Sequence, residues 1–236
     1  MNYYISDEVF AAFPDYVRGV VIAIDVHNGA SPPELLAILR AEERRLRARL
    51  TVEELLELPH TQAWRAAYRA LGCNPNKFRA SVEAMARRVL ADKELPSINA
   101  LVDIGNIIAL KHLVSTGSHA IDEVKGDLVL RPAAGSEKFV AFGSDALEHP
   151  DPGEMVFVED NIVLTRRWTW RQANHTLTLP STRSLVFNVD GLPPVLPAQV
   201  AEICTELMEL VTRYCAGNCH YELLTQGQAS IALPGS

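Results

Sequence analysis

The stretch NALVDIGNIIALKHLVSTGSHAID, residues 99–122, decides how this chain is read. It sets Asn99, Asn106, Asp103, Asp122, His112 and His119 into an otherwise apolar run. Burying polar groups so densely is unfavourable unless they bond to neighbouring loops or line a pocket. A helix over 97–115 would put Asn99, Asp103 and Asn106 four and three residues apart, on one face. Gly105 would then sit mid-helix, about 1 kcal/mol worse than alanine, which a close approach of other backbone would explain. Asp103 reads first as a peg that holds loops. His119 follows Gly117 and Ser118, just past the expected helix end. In a loop there it could orient a substrate hydroxyl, an amine or a hydrolytic water. It could equally tie down the DEVKGD segment.

Upstream of this stretch the pattern is helical. VVIAID, residues 20–25, is β-rich and reads as a central strand, after a lead-in or edge strand within residues 1–13. SPPELLAILRAEERRLRARL has serine before two prolines, a helix-start signal, with Leu35, Leu36, Leu39, Leu46 and Leu50 at helical spacing. Arg44, Arg45, Arg47 and Arg49 occupy its other face, either solvated or available to RNA. Thr51 with Glu54 predicts a capping box, and Pro59 a helix end. TQAWRAAYRALG and SVEAMARRVL read as two further helices, the second capped by Ser81.

Downstream the period changes from helical to two. GDLVLRPA, EKFVAFG, GEMVFVED, NIVLTRRWTWR, HTLTL and TRSLVFNVDG read as short strands of a mainly antiparallel system. EDN marks a hairpin turn. In TRRWTWRQANHT, strand alternation would put Arg167, Thr169 and Arg171 on one side and Arg166, Trp168 and Trp170 on the other. Interleaved aromatic and basic residues suit a nucleic-acid platform, a helix-covered sheet with arginine over indole, or a small-ligand pocket. His175 and Thr176 continue the strip. An amphipathic helix at about 197–216 closes the chain, before a tail expected to be loosely held. The order of elements is that of an α+β protein, read as one unit over residues 1–236.

Composition removes several function classes. The 236 residues carry a formal net charge of −7, which argues against strong nonspecific binding to DNA or RNA phosphates. No apolar run approaches the roughly 20 residues of a membrane helix. MNYYISDEVF lacks a basic start followed by a long apolar segment, so no secretory signal is expected and the cytoplasm is the default. Cys73, Cys204, Cys215 and Cys219 form no paired C-x-x-C, so no metal is expected. Cys215, Cys219 and His220 are close enough in sequence to hold one, but free thiols are the simpler reading. Rossmann, Walker, G-x-S-x-G and H-E-x-x-H signatures are absent, and no cofactor is implied.

The segment KFRASVEAMARRVL…LPSINALVDIGNIIALKHLVSTGSHAIDEVKGDLVLRPA resembles the B3/B4 domain of the phenylalanyl-tRNA synthetase beta subunit, and more closely its stand-alone forms. The resemblance spans roughly residues 60–190. Gly72, Pro75, Arg79, Leu95, Pro96, Ile98, Asn99, Val102, Asp103 and Asn106 match its pattern, and the arginine–tryptophan strand is similar to the stand-alone group. It implies an α+β sandwich of unusual topology, layered β/β/α. In the synthetase this domain edits, hydrolysing the ester of tyrosine wrongly attached to tRNA.

By that resemblance His119 is the catalytic residue, within His119–Ala120–Ile121–Asp122, where isoleucine replaces an aromatic. Asn99, Asn106, Arg167, Arg171, His175 and Asn188 are expected to line the substrate or tRNA pocket. Arg79, Asp103, Asp122, Trp168 and Trp170 are expected to support it. The family's glycine-rich editing loop falls near 166–173, where this chain has RRWTWRQA, and its pocket glutamate falls at about Asn188. Both are departures, and they imply a different side chain in the pocket. The implied function is a stand-alone hydrolase of misacylated tRNA and not a ligase. The alternatives are a noncatalytic RNA- or amino-acid-binding module and a hydrolase of a small anionic metabolite.

Overall fold

A computed structural model describes residues 1–234. The chain opens with β1 (Asn2–Ile5), α1 (Asp7–Ala12) and β2 (Val17–Ile24). Five helices follow: α2 (Pro33–Arg49), α3 (Val52–Glu57), α4 (Pro59–Ala70), α5 (Ser81–Leu90) and α6 (Ala100–His112). Then come β3 (Ser115–Ala120), β4 (Leu128–Pro132), β5 (Phe139–Val140), β6 (Leu147–Glu148), β7 (Met155–Glu159), β8 (Ile162–Arg166), β9 (Arg171–Gln172) and β10 (Ser184–Gly191). Helix α7 (Pro197–Cys215) precedes β11 (Asn218–Leu224) and β12 (Ser230–Ala232).

The strands form a sheet in the order β12-β1-β4-β7-β8-β9, a second in the order β11-β2-β10-β3, and a small β5-β6 pair. All neighbours in the two large sheets are antiparallel except β1 and β4. The fold is α+β, as expected. Alternation gives the second sheet two chemically distinct faces. Arg18, Asn188, Asp190 and His119 point at the first sheet, where Tyr3 and Phe157 meet them. Gly19, Phe187 and Thr116 point at α7 and α6. The layers therefore run sheet, sheet, helices, with α2 packed outside α6.

Strand β2 lies between β11 and β10, the central place that its apolar run predicted. The Gly19 gap in that run is filled by α7. A Cβ there would collide with Cys204 Sγ and sit 2.8 Å from Val200 Cγ1. Gly19→Ala is expected to destabilise the chain by about 1–3 kcal/mol, read as a lower urea midpoint at unchanged slope.

Several expectations are corrected. Helix α6 is shorter than 97–115. Asn99 is extended and caps it by accepting from Val102 N, and Leu113 ends it in the left-handed region at φ 53°. Residues 115–120 are then a strand, so His119 stands within β3 and not in a loop. Pro59 separates α3 from α4 but is also the first residue of α4. Ser81 is the first residue of α5 rather than its cap. Ser31 does not cap α2, and its hydroxyl donates to Asp103 instead. Strand β1 is flanked on both sides and is not an edge. HTLTL is irregular. The tail is tied down at 230–232 by pairing with β1, while 235–236 lie outside the described residues. The capping box at Thr51 and Glu54 and the EDN hairpin between β7 and β8 are present.

The expected continuous strand through TRRWTWR stops at Arg166. Arg167 and Trp168 take φ of 46° and 66°, a left-handed pair that side chains adopt only when surroundings enforce it. Glu154 supplies that enforcement. It accepts from Arg166 Nε and Nη2 at 2.8 and 2.7 Å and from Arg167 N at 3.2 Å. Trp168 N donates to Met155 O, and the indole N–H to Tyr16 OH. The indole is thereby turned into an aromatic cluster with Phe13, Tyr16 and Trp64.

Candidate functional site

The outer edge of β3 carries no further strand in its sheet. The segment 170–179 covers it instead: Gln172 Nε2 donates to Ser118 O and Ala120 N to Thr176 O. Around this edge run two joined cavities. The inner one, about 130 Å³, lies between the sheets and is walled by Arg18, His119, Phe157, Thr165, Asn188 and Asp190. The outer one, about 440 Å³, lies on the helix side against Val102, Gly105, Asn106 and Phe187. Thr116, Gly117, Trp170, Arg171 and Gln172 belong to both. Gly117 marks the waist, because a Cβ there would meet nothing within 4 Å. The outer rim is apolar: Ile98, Phe142 and Leu179 are each more than half exposed there.

His119 is 2% exposed. Its Nδ1 shares a hydrogen bond of 2.7 Å with Thr176 Oγ1. Its Nε2 meets Thr165 Oγ1 only at 3.4 Å, near the limit of a hydrogen bond. Thr176 thus anchors the ring, and Nε2 is the nitrogen able to change partner. Burial, reinforced by the positive charge of Arg18 and by His175, lowers the imidazole to about 3. The ring is neutral at physiological pH. It is a hydrogen-bonding group and a weak base.

That depression has a stability consequence. The folded value lies below the ordinary 6.5, so the unfolded chain takes up the proton first as pH falls. The contribution is fully present above pH 6.5 and is lost progressively towards pH 3. Between pH 7 and 4.5 the wild type is expected to lose about 2 kcal/mol more than His119→Gln, by urea unfolding at the two pH values. Equal losses would contradict a neutral buried imidazole.

The other sequence-predicted residues fall in different places. Asn188, Arg171, Trp168 and Trp170 stand with His119 on the inner wall, and Asn106, Arg171 and Trp170 on the outer. Asn99, Asp103 and Asp122 are fasteners. Asn99 Nδ2 holds Thr178 O at 2.8 Å. Asp103 accepts from the hydroxyls of Ser31 and Ser97 and from Ile98 N. Asp122 accepts from the backbone of Arg183 and Ser184. Arg79 faces Glu83 at 3.8 Å, where Arg65 and Arg87 also converge.

Arg167 and His175 line neither cavity. Arg167 packs 3.9 Å from the Phe78 ring centre and pairs with Asp151 and Glu154, because the left-handed turn swings it off the strand. His175 is held by Glu159 Oε2 at 2.6 Å. Residues that sequence reasoning missed include Arg18, Asp190, Tyr3 and Tyr16. Arg18 Nε donates to Asp190 Oδ1 at 2.6 Å and Nη1 to Tyr3 OH at 2.9 Å. Tyr3 OH donates to Asn188 Oδ1 at 2.8 Å, and Tyr16 OH donates to Asp190. The available signals were one arginine in VRGVVIAI and one aspartate in VFNVDG.

The family model of the B3/4 domain matches residues 63–216, more than half of the chain. The chain belongs to the B3/4 domain family. The match begins inside α4 and ends at α7, so β3, the segment 170–179 and β10 fall within it while Arg18 on β2 does not. A similar solved structure is a crystal structure of an N-terminal fragment of the phenylalanyl-tRNA synthetase beta-subunit from Pyrococcus horikoshii. The two are 10% identical with a TM-score of 0.45, covering 94% of this chain and 49% of that one. The chain thus spans about half the length of that fragment. The search of curated proteins found no match. Among the described residues of this B3/4 chain, no helix is long and apolar enough to cross a membrane. No three His, Cys, Asp or Glu side chains converge there as a metal site would need, and Cys215 and Cys219 belong to different elements.

Proposed function

We propose that this chain hydrolyses the ester of an aminoacyl group carried on the 3′ end of a tRNA. The observation that carries the reading is the two-part cleft around β3, with His119 Nε2 and Arg171 on its inner wall and an apolar rim outside. The acyl group enters the inner chamber. The terminal nucleoside stays outside, where Trp170, Phe142 and Leu179 offer surfaces for a base. His119 Nε2 orients a water or the ribose hydroxyl. The water oxygen bonds to the acyl carbon, the bond from that carbon to the ribose oxygen breaks, and a proton passes to the ribose oxygen. Arg171, reaching both chambers, stabilises the developing oxyanion. Membership of the B3/4 family, and the editing role that the sequence resemblance implies, support this assignment.

One observation favours a smaller ester. Several of the arginines that suggested an RNA surface are paired within the chain: Arg45 with Glu42 and Arg47 with Asp92 at the surface, Arg166 with Glu154 and Glu148, and Arg167 with Asp151. Turnover of aminoacyl-tRNA and of the matching aminoacyl-adenosine, each at 50 and 200 mM salt, separates the readings. A tRNA substrate is expected to lose kcat/KM steeply over that range while the small ester does not. Equal kcat/KM for both esters at both salts would assign the site to a small ester. No turnover of either, by folded protein, would leave a binding module.

A further inference from the structure

The inner chamber holds more polar chemistry than ester cleavage needs. Arg18, Asn188 and Asp190 are almost fully buried, at 1%, 4% and 3% exposed, and all three line it. Their mutual bonds use Arg18 Nε and Nη1, Asn188 Oδ1 and Asp190 Oδ1. Among the described residues Arg18 Nη2, Asn188 Nδ2 and Asp190 Oδ2 make no hydrogen bond, yet they are not among the sealed, unpartnered atoms. They are open to the chamber. The wall therefore presents two donors and one acceptor.

Resting on the ester-hydrolysis reading above, we propose that the inner chamber is a side-chain pocket for a short, neutral, polar acyl group, a hydroxyl or a carboxamide. Arg18 and Asn188 donate to its oxygen, and Asp190 accepts its O–H or N–H. The charges of Arg18 and Asp190 cancel across a 2.6 Å ion pair, and Arg171 at the mouth is paired with Glu148 at 3.3 Å, so the depth of the chamber favours neither sign. A carboxylate would meet Asp190 and an ammonium would meet Arg18. An apolar side chain would strand all three open atoms, and buried sites built to hydrogen-bond reject such analogues strongly. A chamber of about 130 Å³ is close to the size of an engineered cavity that holds benzene, so it admits a short side chain and excludes an indole.

The test uses seryl, threonyl, asparaginyl, glutaminyl, alanyl, valyl and tyrosyl esters of tRNA. In parallel, calorimetry measures binding of the matching non-hydrolysable 3′-aminoacylamino-adenosines. Threonyl over valyl, or asparaginyl over alanyl, is expected to be favoured about 100-fold in kcat/KM and in affinity. Which of the two pairs shows the preference separates hydroxyl from carboxamide. Asn188→Leu is expected to bring the ratio to within about tenfold of unity. Should that variant not fold, Asn188→Asp keeps the acceptor for Tyr3, exchanges the amide donor for a negative charge, and is expected to shrink the ratio likewise. Alanyl or valyl esters cleaved as well as the polar ones would overturn the pocket while leaving ester hydrolysis standing. Polar analogues bound selectively with no ester cleaved would uphold the pocket and remove the hydrolysis. No analogue bound by folded protein would overturn the pocket.

Discussion

His119→Ala is expected to lower kcat for ester hydrolysis by on the order of 100-fold or more, with KM little changed. The imidazole is buried, neutral and fixed through Nδ1 by Thr176, so it presents Nε2 at a set angle on the chamber wall. Alanine removes that group and leaves space for a disordered water. Because the ring titrates near 3, the wild-type rate should show no step near pH 6.5. A step there that vanishes in the variant would make His119 a general base and contradict the geometry. The fold is checked by the urea midpoint, and His119→Gln offers a less invasive change. Turnover unchanged in both variants would remove His119 from the reaction.

Asp190→Ala should be the most destabilising substitution in the site, by about 3–5 kcal/mol. It leaves Arg18 charged and unpaired between two sheets. Arg18 is held well above its ordinary value despite burial, which opposes its charge, by Asp190 with Tyr16 and Tyr3. Tyr16 loses its acceptor as well. Replacing both ions, as in Arg18→Met with Asp190→Leu, should restore much of the stability, since the charge rather than the shape is stranded. The double variant should nonetheless lose side-chain discrimination. A single variant within 1 kcal/mol of wild type would mean that water reaches the pair freely.

These effects trace how much of the molecule was legible beforehand. Helices α2, α4, α5 and α7 carry apolar faces at helical spacing, and β2 is a short branched run, so local pattern and tertiary fate agree. The span 99–122 stands out in the sequence by its polar groups, but its division into a helix ending at His112 and a strand from Ser115 does not. Leu113 in a left-handed conformation ends the helix, and nothing in ALKHLVSTG announces that turn. The arginine–tryptophan segment failed as a strand because its bend is imposed by Glu154, more than ten residues away. Arg18 and Asp190 lie 172 positions apart. Each is visible as a charge in an apolar strand, but only the register of β2 against β10 makes them a pair. Of the expected site, His119, Asn188, Arg171, Asn106 and the two tryptophans meet at the cleft because β3, the turn and β10 converge there. Arg167 and His175 are expected at the site from strand alternation through 165–176, which the left-handed turn at Arg167 and Trp168 interrupts, and they point elsewhere.

The most direct test of the cleft is to fill it. Gly117 lines both chambers, has open space where a Cβ would be, and its side of β3 is shared with His119. Gly117→Leu should therefore fold normally and obstruct the waist. Release of amino acid from a panel of purified aminoacyl-tRNAs, by wild type and Gly117→Leu at matched stability, is the measurement. Turnover of at least one ester by the wild type, reduced about 100-fold or more in the filled variant, is the result this account predicts. Turnover that survives filling, or none from folded wild type on any ester, would contradict it.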